Sequence, residues 1–433
     1  MNMKKTGKRL CIATFTSLCL IPWNIGSLPL AMAAAEAAIA DAGWERGTAS
    51  ALRFPSAKVR LGVERPELYD SLLRGKRVGL LTNQSGVDSQ LRSTVDILRE
   101  NYHLAGICVP EHGLFGAVAA GGKVDDGNYC GILVYSLYDE NQRPSRKLLR
   151  NFDVMVCDIQ DVGARHYTYV STLAYMMQGC AEAGIPVVVL DRPNPLGGAM
   201  QGPVMKEEYK GFIGLYPVPL RHGLTIGEYA RLINGKFMPE DGQKSCELHV
   251  IPVEGLTRDM LWEDTGLPWV NTSPLIPTAE TTQVYVMTGI IGSTNLSNGV
   301  GTAKPFFYAA APYIDPFKLA ERLNSKVPGV YFRPVGYTPR YGSKNLKSCW
   351  GVEIYVTSPR TYNPAEAGAT IIRTVQEMYP EHFKFRMDKK AYHIDADLGE
   401  GSLHESTPLP ELFARWEREC RDFARMVQPY LLY

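Results

Sequence analysis

Four short apolar runs in the first half of the chain limit its fold most: Arg77–Thr82 (RVGLLT), Leu104–Val109 (LAGICV), Val154–Ile159 (VMVCDI) and Pro186–Leu190 (PVVVL). Short apolar runs without polar alternation mark strands buried on both faces, the condition of a parallel sheet. Between them the spacing turns helical. Ser93–Asn101 carries Val95 and Leu98 with Ser93 as its cap, Ser145–Asn151 is a short helix, and Tyr169–Ala183 is a long one closed by Gly184. Val63–Arg74 reads as a helix before the first strand, and Ile132–Tyr135 is a further short apolar run. Strand, helix, strand at this spacing implies right-handed crossovers and a parallel sheet.

In such a sheet the carboxyl ends of all strands lie along one edge, where open α/β folds bind ligands. Each of the four runs ends in residues that carry chemistry. The first leads into Asn83 and Gln84. The second ends in VPEHGLFGAVAAG (Val109–Gly121), which presents Glu111 and His112 before a glycine-rich stretch. The third gives Asp158, Gln160 and Asp161, and the fourth gives Asp191, Arg192 and Asn194. A single Glu-His in a turn is commonly a solvated loop, but four strand tips of acids, amides and arginine predict a site at this edge. Further on, Tyr216–Gly223 (YPVPLRHG) presents Arg221 and His222 on a proline-stiffened loop. Thr225 and Glu228 open the next helix, Ile226–Asn234, with the spacing of a capping box, so Glu228 is read as structural.

Several chemistries are excluded. No GxGxxG or GxxxxGK[ST] follows the first strand, and no GxSxG elbow is present. His112, His166 and His222 lack the spacing of a metal motif with Asp158 or Asp191, so neither metal nor cofactor is expected. A net charge of +1 and the lack of any nucleic-acid-binding signature argue against nucleic acid as a partner.

At the N-terminus, Lys4, Lys5, Lys8 and Arg9 precede the apolar Leu10–Ile21, and Ala31-Met32-Ala33 forms a small-x-small cleavage site. Residues 1–33 therefore read as a signal peptide, which predicts an exported protein, periplasmic or extracellular, with no membrane association after cleavage. Cys108, Cys130, Cys157, Cys180, Cys246, Cys349 and Cys420 then remain, an odd set without CxxC and neither a disulfide framework nor a zinc site. Residues 34–58 read as a linker and 59–276 as the sheet domain. From about residue 277 to 433 a smaller α/β domain is expected. It has strands at Gln283–Ile291 and Gly351–Thr357, and helices at Pro316–Ser325, Pro364–Met378 and Pro410–Val427. Gly292–Pro305 is a polar loop able to reach the sheet edge. Trp262 to Trp269 would line a sugar cleft or pack a hinge.

GLLTNQSG (Gly79–Gly86), PEHGLFG, DIQDVGARHYTY (Asp158–Tyr169), LDRPNPLGG (Leu190–Gly198), PVPLRHGLTIGEYARLING and STNLSNGVGTAKPF (Ser293–Phe306) together resemble the exo-β-N-acetylmuramidase family, the NamZ-like glycosidases. The resemblance spans nearly all of the chain after residue 33. It implies an α/β fold, a Rossmann-like parallel sheet with flanking helices plus a smaller C-terminal α/β domain, with the cleft between the two. It implies release of N-acetylmuramic acid from the non-reducing end of peptidoglycan-derived saccharides. It also implies catalytic roles for Glu111, as the acid, with His112 and Asp158. Asn83, Gln160, Asp161, Arg165, Tyr167, Asp191, Arg192, Asn194, Arg221 and His222 would surround the sugar. Arg165 and Arg221 are the preferred forks for the lactyl carboxylate of muramic acid. The chain departs from the family pattern at Phe115, Gly122, Gly292, Val300 and Phe307, positions usually charged in the family. A relative that binds muramic-acid glycans without turnover is the alternative these changes favour.

Overall fold

Alternate residues of each apolar run face opposite sides of one sheet, the period-two geometry of a strand. Val78, Leu80, Val154, Val156, Val188 and Leu190 pack on one side with Tyr69, Leu73, Val95 and Leu98. Leu81, Met155, Cys157, Val187 and Val189 pack on the other, against helix Tyr169–Ala183. The structure, a computed structural model, describes residues 54, 56–138, 142–342, 346–389 and 391–433. The expected signal peptide, and the expected linker up to residue 53, lie outside the described residues.

The strands are β1 Arg77–Thr82, β2 His103–Val109, β3 Gly127–Tyr129, β4 Ile132–Ser136, β5 Val154–Asp158, β6 Val187–Leu190, β7 Gln201–Val204, β8 Pro219–Arg221 and β9 Leu248–Ile251. The main sheet has seven strands in the order β3-β4-β2-β1-β5-β6-β9. All neighbours are parallel except the edge strand β3, which runs antiparallel to β4. The chain thus builds outward from β1 in one direction and then returns to build outward from it in the other. This doubly wound order places the topological switch between β1 and β5. The four expected strands are its centre; β4 and β9 extend it on either side. β7 and β8 form a separate antiparallel ribbon.

The second domain is built on a three-stranded antiparallel sheet, β10 Tyr308–Ala311, β11 Val330–Tyr337 and β12 Cys349–Val356, in the order β10-β12-β11. Helices Pro316–Asn324, Pro364–Met378 and Leu409–Val427 accompany it. One expectation fails. Gln283–Ile291 is not a strand but the later part of helix Ala279–Thr288 and the 3₁₀ turn Ile290–Ser293. Thr278 caps this helix by accepting the Thr281 N–H. Val284, Val286, Met287, Ile290 and Ile291 are all buried, so apolar residues on several faces hide the helical period.

Residues 51–433 form one compact unit. The larger apolar core runs from beneath the main sheet into the second domain, joining Leu173 and Val189 to Ile354 and Ile372. Trp262 and Trp269 meet edge to face within the other core cluster, so this segment packs as a joint. No helix among the described residues is long and apolar enough to cross a membrane.

Candidate functional site

Pro110 ends β2, and the chain turns sharply through residues 111–116. His112 and Gly113 both take a left-handed backbone, with φ of 75°. That conformation is costly for a residue with a Cβ and persists only where surroundings enforce it, often at functional sites. His112 is held by its own loop: its Nδ1 lies 2.7 Å from the Val118 carbonyl. Gly116 lies against Gln84 at the tip of β1, so closely that an added Cβ would sit 2.2 Å from the Gln84 Nε2. Gln84 in turn donates to the Asn271 and Thr272 carbonyls. The loop is therefore clamped between β1 and the 271–272 segment.

This clamp presents Glu111. Its Oε1 accepts the Gly121 N–H at 2.9 Å and its Oε2 accepts the Thr168 hydroxyl at 2.8 Å. Tyr138, at the end of β4, faces the same carboxylate; burial and the Glu111 charge push its phenol up to about 12. A carboxylate with donors on both oxygens is held in one orientation. Next to it, Tyr167, Tyr169, His166 and Tyr285 form an aromatic wall. Tyr167 lies 4.7 Å from Tyr169 and 5.9 Å from Tyr285 between ring centres, and His166 lies 4.6 Å from Tyr285. The Tyr167 hydroxyl donates to Thr272 Oγ1 at 2.8 Å, and Tyr169 accepts from Asn83 Nδ2 at 2.8 Å. Burial and the neighbouring Arg165 charge lower His166 to about 3, so its ring is neutral.

The strand tips do converge, but most of their polar atoms bind one another. Asp158 forms a two-pronged pair with Arg192 and also accepts the Thr94 hydroxyl; both partners are buried. Arg192 thus pairs with Asp158 rather than with its neighbour Asp191. Asp191 accepts four donors: the Arg192 and Gly227 N–H groups, the Thr225 hydroxyl and the Tyr433 phenol. Burial nevertheless lifts its carboxyl to about 6. Asn83 turns its Oδ1 onto Ser85, and Asn194 closes a turn from Leu196 while donating to the Leu224 carbonyl. Asp161 Oδ2 accepts Gly163 N–H at 2.7 Å and lies 3.1 Å from His222 Nε2. Because His222 Nδ1 accepts the Leu224 N–H, the ring proton sits on Nε2 and points at Asp161. Asp161 Oδ1 and Gln160 Oε1 have no protein partner.

The two arginines expected to grip a sugar carboxylate do other work. Arg165 donates to the Pro203 and Val218 carbonyls and to that of Asp397 in the second domain, and burial lowers it to about 10. Arg221 donates to Gln201 Oε1 and the Leu196 carbonyl. The terminal nitrogens of both guanidiniums are thus engaged with buried protein oxygens between loops, while the Nε of each has no protein partner. Glu228 is structural, as its capping box predicts: it accepts Thr225 N–H, Leu432 N–H and the Arg258 guanidinium. Among the described residues no group of three or more His, Cys, Asp or Glu is placed to hold a metal ion.

Sequence spacing alone did not point to Tyr138, Thr168, Tyr285, Ser293 or Asp397. Thr168 and Tyr138 reach Glu111 from separate elements. Ser293 donates its hydroxyl to the Asp397 carboxyl, on helix His393–Leu398 of the second domain. Burial raises the Asp397 carboxyl, and Asp397 and Glu111 both act on the Tyr285 phenol, raised chiefly by burial. Thr168, in the DIQDVGARHYTY block, and Ser293, which opens STNLSNGVGTAKPF, were the two of these with a sequence signal.

A doubly wound sheet with an oriented carboxylate beside a tyrosine wall at its strand tips, joined to a smaller domain, is the architecture of an α/β protein with its site at the sheet edge. Comparison with known proteins takes this further. The family model for the N-terminal part of the exo-β-N-acetylmuramidase NamZ matches residues 78–280, and that for its C-terminal part matches residues 283–433. The peptidoglycan β-N-acetylmuramidase NamZ of Bacillus subtilis is 41% identical over 390 residues, covering 87% of this chain and 92% of that protein. Crystal structures of two DUF1343 family proteins from Bacteroides fragilis superpose with TM-scores of 0.80 and 0.69, at 36% and 26% identity. They cover 88% and 87% of this chain, and 100% and 99% of their own. The chain belongs to the exo-β-N-acetylmuramidase NamZ family and is a glycosidase.

Proposed function

We propose that this chain is an exported, exo-acting glycoside hydrolase that releases N-acetylmuramic acid from the non-reducing end of peptidoglycan fragments. The observation that carries the reading is the end-to-end match to a peptidoglycan β-N-acetylmuramidase, at 41% identity over 92% of that protein. The orientation of Glu111 supports it. Glycoside hydrolysis uses two carboxyl groups, one that protonates the leaving oxygen and one, ionised, that serves the opposite face of the sugar. Hydrogen bonds donated to both Glu111 oxygens suit the ionised role, so Glu111 acts as the carboxylate rather than the acid.

The test is turnover of a chromogenic β-N-acetylmuramide against the matching β-N-acetylglucosaminide. Muramide-selective release supports the reading. Binding of muramic acid without turnover of either sugar favours the non-catalytic alternative, to which Phe115, half exposed on the Glu111 loop, lends support. Export rests on the basic and apolar N-terminal segment and its Ala31-Met32-Ala33 site. Sequencing the mature protein should find Ala34 first.

A further inference from the structure

We propose that Asp397 is the second carboxyl group of the cleft, the general acid that works opposite Glu111 with the Tyr285 phenol between them. This rests on the glycosidase reading and adds to it a residue from the second domain.

Most of the buried carboxyls in both domains are already committed; Asp161, whose Oδ1 has no protein partner, is held through Oδ2 by the Gly163 N–H and His222 within the first domain. Asp158 is saturated by Arg192 and Thr94, Asp191 by four donors, and Glu228 by three. Glu353 is held between Lys304 and Arg333, and Glu400 between Arg415 and the Trp416 indole. Carboxyls bound in this way cannot turn to a substrate without leaving a buried charge unpaired. Asp397 differs. Its side chain is part-exposed, and Ser293 donates to Oδ2.

Asp397 is also tied to the Glu111 loop. Arg165 Nη2 donates to the Asp397 carbonyl at 3.0 Å, and three residues later Thr168 donates to Glu111 at 2.8 Å. The short 165–168 segment therefore links the two carboxyl-bearing residues. Tyr285 leans on its middle, with the phenol 3.4 Å from the His166 carbonyl and the ring 4.6 Å from the His166 ring. Arg165 anchors helix His393–Leu398 through the backbone, which leaves the Asp397 side chain to Ser293. Protonation suits an acid as well: burial raises Asp397, against the lowering effect of Ser293, His393, Arg165 and Arg386. A carboxyl raised by burial is how glycosidases hold a proton ready.

The step balances. The Asp397 proton passes to the glycosidic oxygen as its bond to the anomeric carbon breaks. Water forms the new bond to that carbon and gives a proton to the Glu111 carboxylate. Exchange with solvent returns both groups to their starting forms.

The experiment compares Asp397→Asn with wild type on two muramides, the natural disaccharide and a 2,4-dinitrophenyl glycoside whose leaving group needs no protonation. Loss of a general acid predicts that kcat/KM on the disaccharide falls about 100- to 10,000-fold, while the activated glycoside falls less than about 10-fold. It also predicts that the basic limb of the pH profile disappears. Equal losses on both substrates, or an unchanged basic limb, overturn the proposal. Should Asp397→Asn not fold, Ser293→Ala gives the second reading. Removing a donor that lowers Asp397 must move the basic limb to higher pH, and an unmoved limb overturns the assignment. Wild-type enzyme inactive on both substrates would overturn the muramidase reading itself, and this proposal with it.

Discussion

Replacing Arg192 by Leu is predicted to unfold the sheet edge before it touches chemistry. Arg192 and Asp158 have side chains 3% and 0% exposed, and Asp158 keeps only the Thr94 hydroxyl if the guanidinium is removed. Breaking one side of a buried pair costs about 3–5 kcal/mol, because the remaining charge stays desolvated. The unit spanning Ala51–Tyr433 unfolds with an entropy of about 0.8 kcal/mol/K at roughly 2.1 cal/mol/K per residue, so Tm should fall by about 4–6 °C. Asp158→Asn strands the arginine instead and should lose a similar amount. The double variant removes both charges and should recover all but about 1–2 kcal/mol. Calorimetry on the three proteins, with kcat measured well below each Tm, decides the matter. Single variants that melt with wild type while kcat falls more than about 100-fold would refute a structural Asp158 and restore its catalytic role.

The Tyr433 phenol donates to Asp191 at 2.7 Å and accepts the Val253 N–H at 2.7 Å. Tyr433→Phe should therefore cost about 1–3 kcal/mol near pH 8. Asp191 is raised to about 6, so the native state holds its proton where the unfolded chain has lost it. Its contribution to stability is present at low pH and lost as pH rises from about 4 through 6. The Tyr433→Phe penalty should accordingly be smaller at pH 5 than at pH 8, and denaturant midpoints at both values check the sign. Arg221→Lys should cost about 1–3 kcal/mol by leaving the Leu196 carbonyl or Gln201 unpaired, with KM for the muramide unchanged in the folded enzyme. A raised KM at unchanged Tm would return Arg221 to the sugar.

The framework of the fold was legible because its signals are local. Helices Tyr169–Ala183 and Pro364–Met378 carry their own stop and start residues, Gly184 and Asn363, and the apolar runs mark the strands directly. Glu228 was legible for the same reason, since a capping box is a four-residue pattern. Helix Ala279–Thr288 was not, because burial on several faces removes the period that distinguishes it. At the site, sequence placed the polar tips on one edge but could not tell which would face a ligand. That depends on pairs far apart in the chain: Asp158 with Arg192, Asp191 with Tyr433, Arg165 with the carbonyl of Asp397. The protein partners of the arginines were not legible because an Arg fork fits a buried carbonyl set as well as a carboxylate. Asp397 was missed because its partner, Ser293, lies on a different element far away in the sequence, and no spacing rule joins them.

The central claim is that Glu111 is the carboxylate on which this glycosidase turns. Its most direct test is kcat for a chromogenic β-N-acetylmuramide in Glu111→Gln, measured beside Tm. The amide of that variant keeps the shape of the carboxylate and can still accept the Gly121 N–H, so Tm should stay within about 2 °C while kcat falls by more than about 1,000-fold. Muramide turnover within about 10-fold of wild type, at unchanged Tm, would contradict the account and move the chemistry away from the tip of β2.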